Sequence, residues 1–394
     1  MRTLKSFGPN IMSPLRLQAL VLCSDEKILR VLRRVLSDLE IVMDHCTESD
    51  AAIHKLTRQR YEAIIVDCAN ALAASQVLRS ARTAPCNKRA VAVAIIDSQE
   101  STHGAFDLGA HFTLYKPLTN ERAKASFRAA RALMKRERRR NTRIPVEIPV
   151  LLATQEGGSQ QRIVTSDLSE GGIAVRPAPP AKSAGPMTVV FTLPGSGYKI
   201  ECLGEVAWTN STQQAGVRFV DLAAESSTQL KAWLDSYAPE LDKDDPPVAC
   251  KLTDLSPGGA YLETTAPFPV HTKVILSATV MATQVRVDAM VRVAHPEMGM
   301  GVAFLQETPI QRDQLGKFIQ ALISSEGALP EILVLPEGLD TGEKDKMVSA
   351  GLTGDPLLDL FLQNATLDTQ AFLVELHKHR GPSPEVPEGT AAVQ

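Results

Sequence analysis

Two stretches of this sequence repeat one pattern, and the repeat limits how the middle of the chain can fold. Asp167–Gly172 (DLSEGG) recurs as Asp254–Gly259 (DLSPGG), and Gly216–Phe219 (GVRF) recurs as Gly301–Phe304 (GVAF). The interval from the aspartate to the phenylalanine is 52 residues in the first copy and 50 in the second. Conserved order and spacing within one chain predict two modules of the same kind.

The segments between the repeated motifs favour β-structure. Short runs rich in Val, Ile and Thr, separated by Gly and Pro, predict the antiparallel strands of a small barrel. In the first copy these runs are Val146–Ala153, Gln161–Thr165, Gly172–Arg176, Met187–Leu193, Lys199–Ala207 and Gly216–Val220. A segment of helical period then closes each copy, near Ala223–Leu234 in the first and Pro309–Ser324 in the second.

The chain before the repeats has a different pattern, in which apolar runs alternate with helical segments. The predicted strands are Ala19–Cys23, Ile41–Met43, Ala63–Val66, Val91–Ile96 and Phe112–Tyr115. Alternating strands and helices predict a parallel sheet covered by helices on both faces. Five such units fit a flavodoxin-like α/β domain, whose ligand site lies at the carboxyl ends of the strands.

These patterns divide the chain into four parts. We predict an α/β domain over 1–135, a small β-barrel over 136–238 and a second barrel over 246–325. The remainder, 326–394, is rich in Pro, Gly and acidic residues, which predicts a flexible and largely disordered tail. Its single apolar segment, Leu357–Leu376, can form a helix.

Composition excludes several function classes. The formal net charge is -3, so the chain as a whole does not attract nucleic acid or an anionic membrane. No run of eighteen apolar residues predicts a membrane span, and no signal peptide is evident. The six cysteines are scattered without C-x-x-C spacing, which predicts reduced thiols and no metal centre. No nucleophile, metalloprotease or P-loop motif occurs, so we expect neither catalysis nor a cofactor.

The start of the first barrel carries a cluster of basic residues followed by the first repeated motif. Together they spell R-R-x-x-x-R and then D-x-S-x-x-G, a pattern that resembles the PilZ family of bacterial cyclic di-GMP receptors. The resemblance implies that cyclic di-GMP binds Arg138, Arg139, Arg143, Asp167, Ser169 and Gly172. The residue types suit that ligand, because guanidinium groups bind phosphate and stack on guanine, while a carboxylate accepts from the guanine edge.

The second copy departs from this pattern. It keeps Asp254, Ser256 and Gly259, but the acidic segment Glu240–Pro247 replaces the arginines. We therefore expect a degenerate PilZ-like domain that binds no nucleotide, in which the Asp and Ser hold a turn through side-chain to backbone hydrogen bonds.

The N-terminal domain resembles response-regulator receivers, through Asp67 after the third strand and the Lys116-Pro117 end of the fifth. The resemblance implies that Asp67 is the phosphoacceptor, that Lys116 pairs with the phosphoryl group, and that Asp25 and Asp67 can hold Mg²⁺. Ser24 precedes Asp25 where the family has a pair of acids, and Ile96 stands where it has Thr or Ser. Phosphorylation is therefore expected to be weak or absent.

The leading hypothesis is a cytoplasmic bacterial signalling protein that rearranges its domains when cyclic di-GMP binds. The alternative is a scaffold that binds no nucleotide and meets an unknown protein partner through the receiver-like domain or the tail. A third hypothesis, nucleic-acid binding by Lys135–Arg143, is disfavoured by the net charge and by the absence of interleaved aromatic residues.

Overall fold

The fold is described from a computed structural model. It describes residues 16–84, 86–97, 102–154, 160–178, 185–210, 213–237, 244–280, 283–306, 308–323, 331–339, 354–363 and 369–379. These residues pack as two compact units. One unit contains Lys135–Asp244, and the other contains Leu17–Met134 together with the described residues from Asp245 onward.

The N-terminal domain is a parallel five-stranded sheet in the order β2-β1-β3-β4-β5. This is the order of flavodoxin-like sheets, as the alternating pattern predicts. Its strands are β1 (Leu17–Leu22), β2 (Ile41–Cys46), β3 (Ala63–Asp67), β4 (Val91–Ile96) and β5 (Phe112–Tyr115). Its helices are α1 (Glu26–Asp38), α2 (Ser49–Arg58), α3 (Ala71–Thr83), α4 (Thr102–Asp107) and α5 (Asn120–Asn141). All six residues of β4 are buried, as expected for a strand covered on both faces.

The first β module is a closed barrel. Its sheet runs β6-β8-β7-β10-β11-β12-β9, and an additional pairing of β8 with β9 closes the ring. The strands are β6 (Ile144–Pro145), β7 (Pro149–Thr154), β8 (Gln160–Ser169), β9 (Gly172–Arg176), β10 (Met187–Thr192), β11 (Lys199–Thr209) and β12 (Ala215–Asp221). Helix α6 (Ala224–Tyr237) follows and buries Leu230 and Trp233 in the barrel core.

The second β module is also a closed barrel, with the strand order β13-β14-β17-β16-β15-β18. Five strands precede helix α7 (Pro309–Ile323), and the sixth follows it. They are β13 (Val248–Leu255), β14 (Gly259–Glu263), β15 (Thr272–Val280), β16 (Thr283–His295), β17 (Gly299–Phe304) and β18 (Ile332–Leu339). The barrel therefore extends beyond its predicted end at 325, because β18 pairs with both β13 and β15.

The segment predicted as a flexible tail with one helix holds more structure than β18. Two helices follow, α8 (Pro356–Gln363) and α9 (Thr369–His379), where one apolar helix over Leu357–Leu376 was expected. Their apolar side chains are buried against Tyr261 and Val293 of the second barrel. The other residues of the tail lie outside the described residues.

The receiver-like domain and the second barrel belong to the same compact unit. Their buried side chains form one continuous hydrophobic cluster, which includes residues of α1, α5 and the barrel interior. Arg122 pairs with Glu297 at 3.3 Å, and Arg131 pairs with Asp245 at 2.8 Å. Both pairs join α5 to the second barrel or to the residues that lead into it. No helix among the described residues is long and apolar enough to cross a membrane.

The position of β18 makes a truncation informative. We expect a chain that ends at Ser325 to lose cooperative unfolding of the second barrel, because β13 and β15 lose their shared partner. Ile332 and Val334 are fully buried, and each such side chain contributes about 1.5–3 kcal/mol. Thermal unfolding followed by circular dichroism measures the change. A chain that ends at His379 is the control and should unfold as the parent does; equal stability of the shorter chain would contradict the closure described here.

Candidate nucleotide-binding site

Most of the basic cluster before the first barrel lies in a helix. Arg138 and Arg139 belong to the last turn of α5, which ends at Asn141. Thr142 donates its hydroxyl to the Arg138 carbonyl at 2.8 Å, so it satisfies one of the free carbonyls at the helix end. Positive side chains are favourable at this end of the helix dipole. The helix therefore sets the direction in which the arginine pair projects.

The three arginines of the motif differ in exposure and in their contacts. Arg138 is buried. The Arg139 side chain is 12% exposed, and its Nη1 lies 2.9 Å from Oδ2 of Asp244. The Arg143 side chain is 46% exposed, and its Nη1 donates to Oδ1 of Asp167 at 2.7 Å. Two of the predicted ligand-binding residues, Arg143 and Asp167, are thus brought together as an ion pair.

Ser169 and Gly172 shape the hairpin that joins β8 to β9. The buried Ser169 hydroxyl donates to the Gly172 carbonyl at 3.0 Å. A Cβ at position 172 would lie only 2.3 Å from the Val217 carbonyl oxygen of β12, so any larger residue would push the strands apart. In this structure both residues hold the turn that places Asp167 on β8.

A charged network that the motif alone does not predict surrounds this hairpin. Oε1 of Glu170 lies 2.9 Å from Nη2 of Arg136 and 3.5 Å from Nζ of Lys231. Glu170 therefore links the end of α5, the motif turn and α6. The sequence gives one indication of this role, because the motif differs between the two copies at this position: Glu170 in the first copy corresponds to Pro257 in the second. Asp244 belongs to the acidic segment Glu240–Pro247, and its pairing with Arg139 has no signal in the sequence.

The second barrel uses the serine of its motif copy as the sequence predicts. Ser256 accepts from the Gly259 amide at 3.1 Å and holds the turn through a side-chain to backbone bond. Asp254 instead accepts from the Thr253 hydroxyl at 2.7 Å, which is a contact between side chains. The Gly258 amide of the turn donates to Asp355, outside the barrel, at 2.8 Å.

The receiver-like domain places Asp67 and Lys116 together at the carboxyl end of its sheet. Lys116 Nζ lies 2.7 Å from Asp67 and 3.2 Å from Asp97. Burial lowers the pKa of Lys116, but its hydrogen bonds to the two carboxylates outweigh that effect and raise it. The lysine remains charged and neutralises Asp67, whose side chain is 7% exposed.

The two predicted magnesium ligands make contacts within the domain. Asp25 caps α1, because its Oδ1 accepts from the Lys27 amide at 2.7 Å and the Ile28 amide at 3.4 Å. The Cys23 thiol also lies near Asp67, with Sγ at 3.6 Å from Oδ2. Burial raises the pKa of Cys23 to about 11, so it is a neutral thiol at physiological pH. Among the described residues no group of three or more His, Cys, Asp or Glu side chains could hold a metal ion.

Comparison with known proteins identifies the two barrels. Residues 137–236 and residues 235–321 each match the family described as PilZ domain. A search of curated proteins found no match.

Several solved structures are similar to parts of the chain. The PilZ domain of CeSA from a cellulose-synthesizing bacterium is 24% identical, with 24% of this chain and 97% of that chain covered and a TM-score of 0.22. The receiver domain of a sensor histidine kinase from Pseudomonas aeruginosa is 21% identical, with 27% and 89% covered and a TM-score of 0.25. A chemotaxis response regulator of Vibrio cholerae is 17% identical, with 29% and 98% covered and a TM-score of 0.27.

The side chains expected around Asp67 predict its reactivity. We expect acetyl phosphate with Mg²⁺ to label Asp67 weakly or not at all, because Ser24 stands where the family has an acid and the buried Ile96 offers no hydroxyl to the phosphoryl group. Phosphate-affinity electrophoresis or intact mass measures the labelling. Asp67→Asn is the control for labelling elsewhere; rapid stoichiometric labelling that this variant abolishes would contradict the expectation.

Proposed function

Because the two barrels are PilZ domains, we propose that this chain is a cytoplasmic signalling protein that binds cyclic di-GMP through its first barrel. Occupancy is transmitted by rearrangement of the domains, and the protein is a receptor and not an enzyme. The observation that carries the proposal is the exposed ion pair of Arg143 and Asp167, which joins the two halves of the binding motif.

The pair offers both kinds of group that a guanine dinucleotide requires. The Arg143 guanidinium can donate paired hydrogen bonds to a phosphate, and the Asp167 carboxylate can accept from the N1 and N2 donors of guanine. A ligand that contacts both residues replaces their mutual hydrogen bond with two charged ones. Exposed ion pairs contribute at most about 1 kcal/mol, so this exchange costs little.

Ser169 and Gly172 support the site from within the hairpin. The Ser169 hydroxyl is engaged with the Gly172 carbonyl, and the missing Cβ at 172 lets β9 lie against β12. In the proposed complex these residues fix the position of Asp167 on β8, and the open turn leaves room for the ligand.

Arg139 provides a route from the ligand to the rest of the chain. Binding of a phosphate by Arg139 requires its separation from Asp244. Asp244 lies four residues before β13 begins, so its release frees the start of the segment that leads into the second barrel. The neighbouring Asp245 pairs with Arg131 of the same helix. Asp244 and Asp245 thus each pair with an arginine of α5, and in this proposal the ligand competes with Asp244 for Arg139.

The scaffold alternative is less well supported. It assigned partner binding to the tail segment Leu357–Leu376, but much of its apolar surface is buried against the second barrel. The receiver-like domain likewise shares a hydrophobic cluster with that barrel. Binding of an unknown protein partner through other surfaces of either part remains compatible with a nucleotide receptor.

The first test replaces the arginines of the motif. We expect Arg139→Ala and Arg143→Ala each to weaken cyclic di-GMP binding at least tenfold, which corresponds to about 1.4 kcal/mol and is at the low end of what a charged hydrogen bond contributes. Isothermal titration calorimetry on the full chain measures the affinity. Arg128→Ala removes an exposed arginine from the same helix and is the matched control. Parental affinity in both motif variants would refute the proposal.

The second test concerns the internal competitor. We expect Asp244→Asn to tighten cyclic di-GMP binding by about twofold to fivefold, because a partly exposed ion pair contributes at most about 1 kcal/mol. The gain should disappear when Arg139→Ala is also present. Asp245→Asn, which removes the adjacent acid paired with Arg131, should leave the affinity unchanged. An unchanged or weaker affinity in Asp244→Asn would show that Asp244 does not compete with the ligand.

A further inference from the structure

The repeated motif has different surroundings in the two barrels. In the first barrel, Gly171 of the motif turn faces open space, since a Cβ there would meet no described atom within 4 Å. Its counterpart in the second barrel, Gly258, is covered. A Cβ at that position would lie 2.5 Å from Leu358 and 2.8 Å from the Asp355 carboxylate, both at the start of α8.

Asp355 binds the motif turn and begins the helix at the same time. Its Oδ2 accepts from the Gly258 amide at 2.8 Å. Its Oδ1 accepts from the Leu357 and Leu358 amides at 3.1 Å and 3.2 Å, so the same carboxylate caps α8. The Asp355 carboxylate thus accepts the backbone N–H of the second motif turn, where an anionic ligand would otherwise bind.

In each barrel an aromatic ring covers the glycine of the GVxF motif, and the ring comes from a different element in each. In the first barrel, the indole of Trp208 lies over Gly216, 2.1 Å from the position that a Cβ would take. The counterpart of Gly216 is Gly301, which pairs with Val293 where Gly216 pairs with Trp208. Val293 Cγ2 also lies 2.6 Å from the position that a Cβ of Gly301 would take, but valine brings no aromatic ring to this face.

Phe361 of α8 supplies the missing ring. It approaches the Cβ position of Gly301 to 2.6 Å. Helix α9 continues this cover, because the fully buried Phe372 lies 4.4 Å from the His295 ring and 5.9 Å from the Tyr261 ring, centroid to centroid. The second barrel therefore depends on its own C-terminal helices for side chains that the first barrel carries on a strand.

We infer that the motif face of the second PilZ domain is a docking site for an amphipathic helix with an N-terminal aspartate, and that residues 354–363 and 369–379 of the same chain occupy it. The bound helix leaves no open turn for a nucleotide. This inference concerns the second barrel alone and does not depend on nucleotide binding by the first.

The test uses the full chain with Leu358 and Phe361 replaced together by lysine. Because both side chains face the motif glycines, we expect amide hydrogen exchange over 356–363 and 369–379 to accelerate at least tenfold, with β14 and β17 still protected. Leu362→Lys changes an exposed position of the same helix and should exchange as the parent does. Unchanged protection of the helices in the double variant would overturn the inference.

A labelled peptide of residues 354–379 tests the same site in trans. We expect it to bind the double variant and not the parent, and an Asp355→Ala peptide to bind at least tenfold more weakly. Equal binding of the two peptides would overturn the role of Asp355. If the double variant instead binds additional cyclic di-GMP relative to the parent, the face is a masked nucleotide site and the inference is wrong.

A second variant, without introduced charges, tests the inference if the two lysine substitutions unfold the barrel. Val293→Trp places an indole where Trp208 lies in the first barrel, so it should displace Phe361 without removing buried apolar surface. We expect faster exchange in α8 and α9 with protected barrel strands. Exchange that matches the parent throughout would show that the two rings do not compete for one space, and would overturn the inference.

Discussion

An equivalent backbone hydrogen bond links the DLSxGG and GVxF motifs in both repeats. The Gly171 carbonyl accepts from the Phe219 amide at 3.0 Å, and the Gly258 carbonyl accepts from the Phe304 amide at 2.8 Å. The next glycine in each copy lets the facing strand approach so closely that a Cβ would lie within 2.5 Å of its carbonyl oxygen. This contact holds the motif turn of each barrel against the facing strand. It explains why DLSxGG and GVxF recur together at nearly constant spacing, although neither motif alone defines a binding site.

Because closure uses the backbone and the glycines, the side chains around the turn are free to diverge. The first copy has Glu170 in the turn, which binds Arg136 and Lys231 and ties the turn to two helices. The second copy has Pro257 there, and the helix α8 lies on the turn. One backbone design therefore supports an open, charged surface in one barrel and a covered, apolar surface in the other.

The sequence predicts the elements that have strong local patterns. The strands of the α/β domain and of the first barrel appear close to their expected bounds, because apolar runs bounded by Gly and Pro are a local signal. Strand β18 was missed, since its partners β13 and β15 lie more than fifty residues upstream and its own Pro336 and Gly338 resemble a linker. A run of charge such as Lys135–Arg143 indicates solvent exposure, yet arginine also favours helix, and α5 continues through Arg138 and Arg139 to Asn141.

The sequence indicates which residue types suit each candidate ligand, but it does not indicate which protein groups compete with that ligand. Only the fold shows which polar groups are already bound by other groups of the protein. Asp67 is neutralised by Lys116 in a nearly buried pair, and the Gly258 amide is bound by Asp355 beside the Leu358 side chain. Both contacts are partly buried, so displacement by a ligand must also overcome the loss of buried contacts.

Arg143 and Asp167 are paired as well, but at the surface, where water can replace either partner and the interaction is weak. The Lys116–Asp67 and Asp355–Gly258 contacts are partly buried, whereas the Arg143–Asp167 contact is exposed. This difference in burial makes the Arg143–Asp167 contact the easiest of the three for a ligand to replace. In the proposed complex, a ligand that offers both an anion and a hydrogen-bonding edge separates this pair and binds both residues. That asymmetry in burial is the physical reason for proposing that the first barrel binds the ligand.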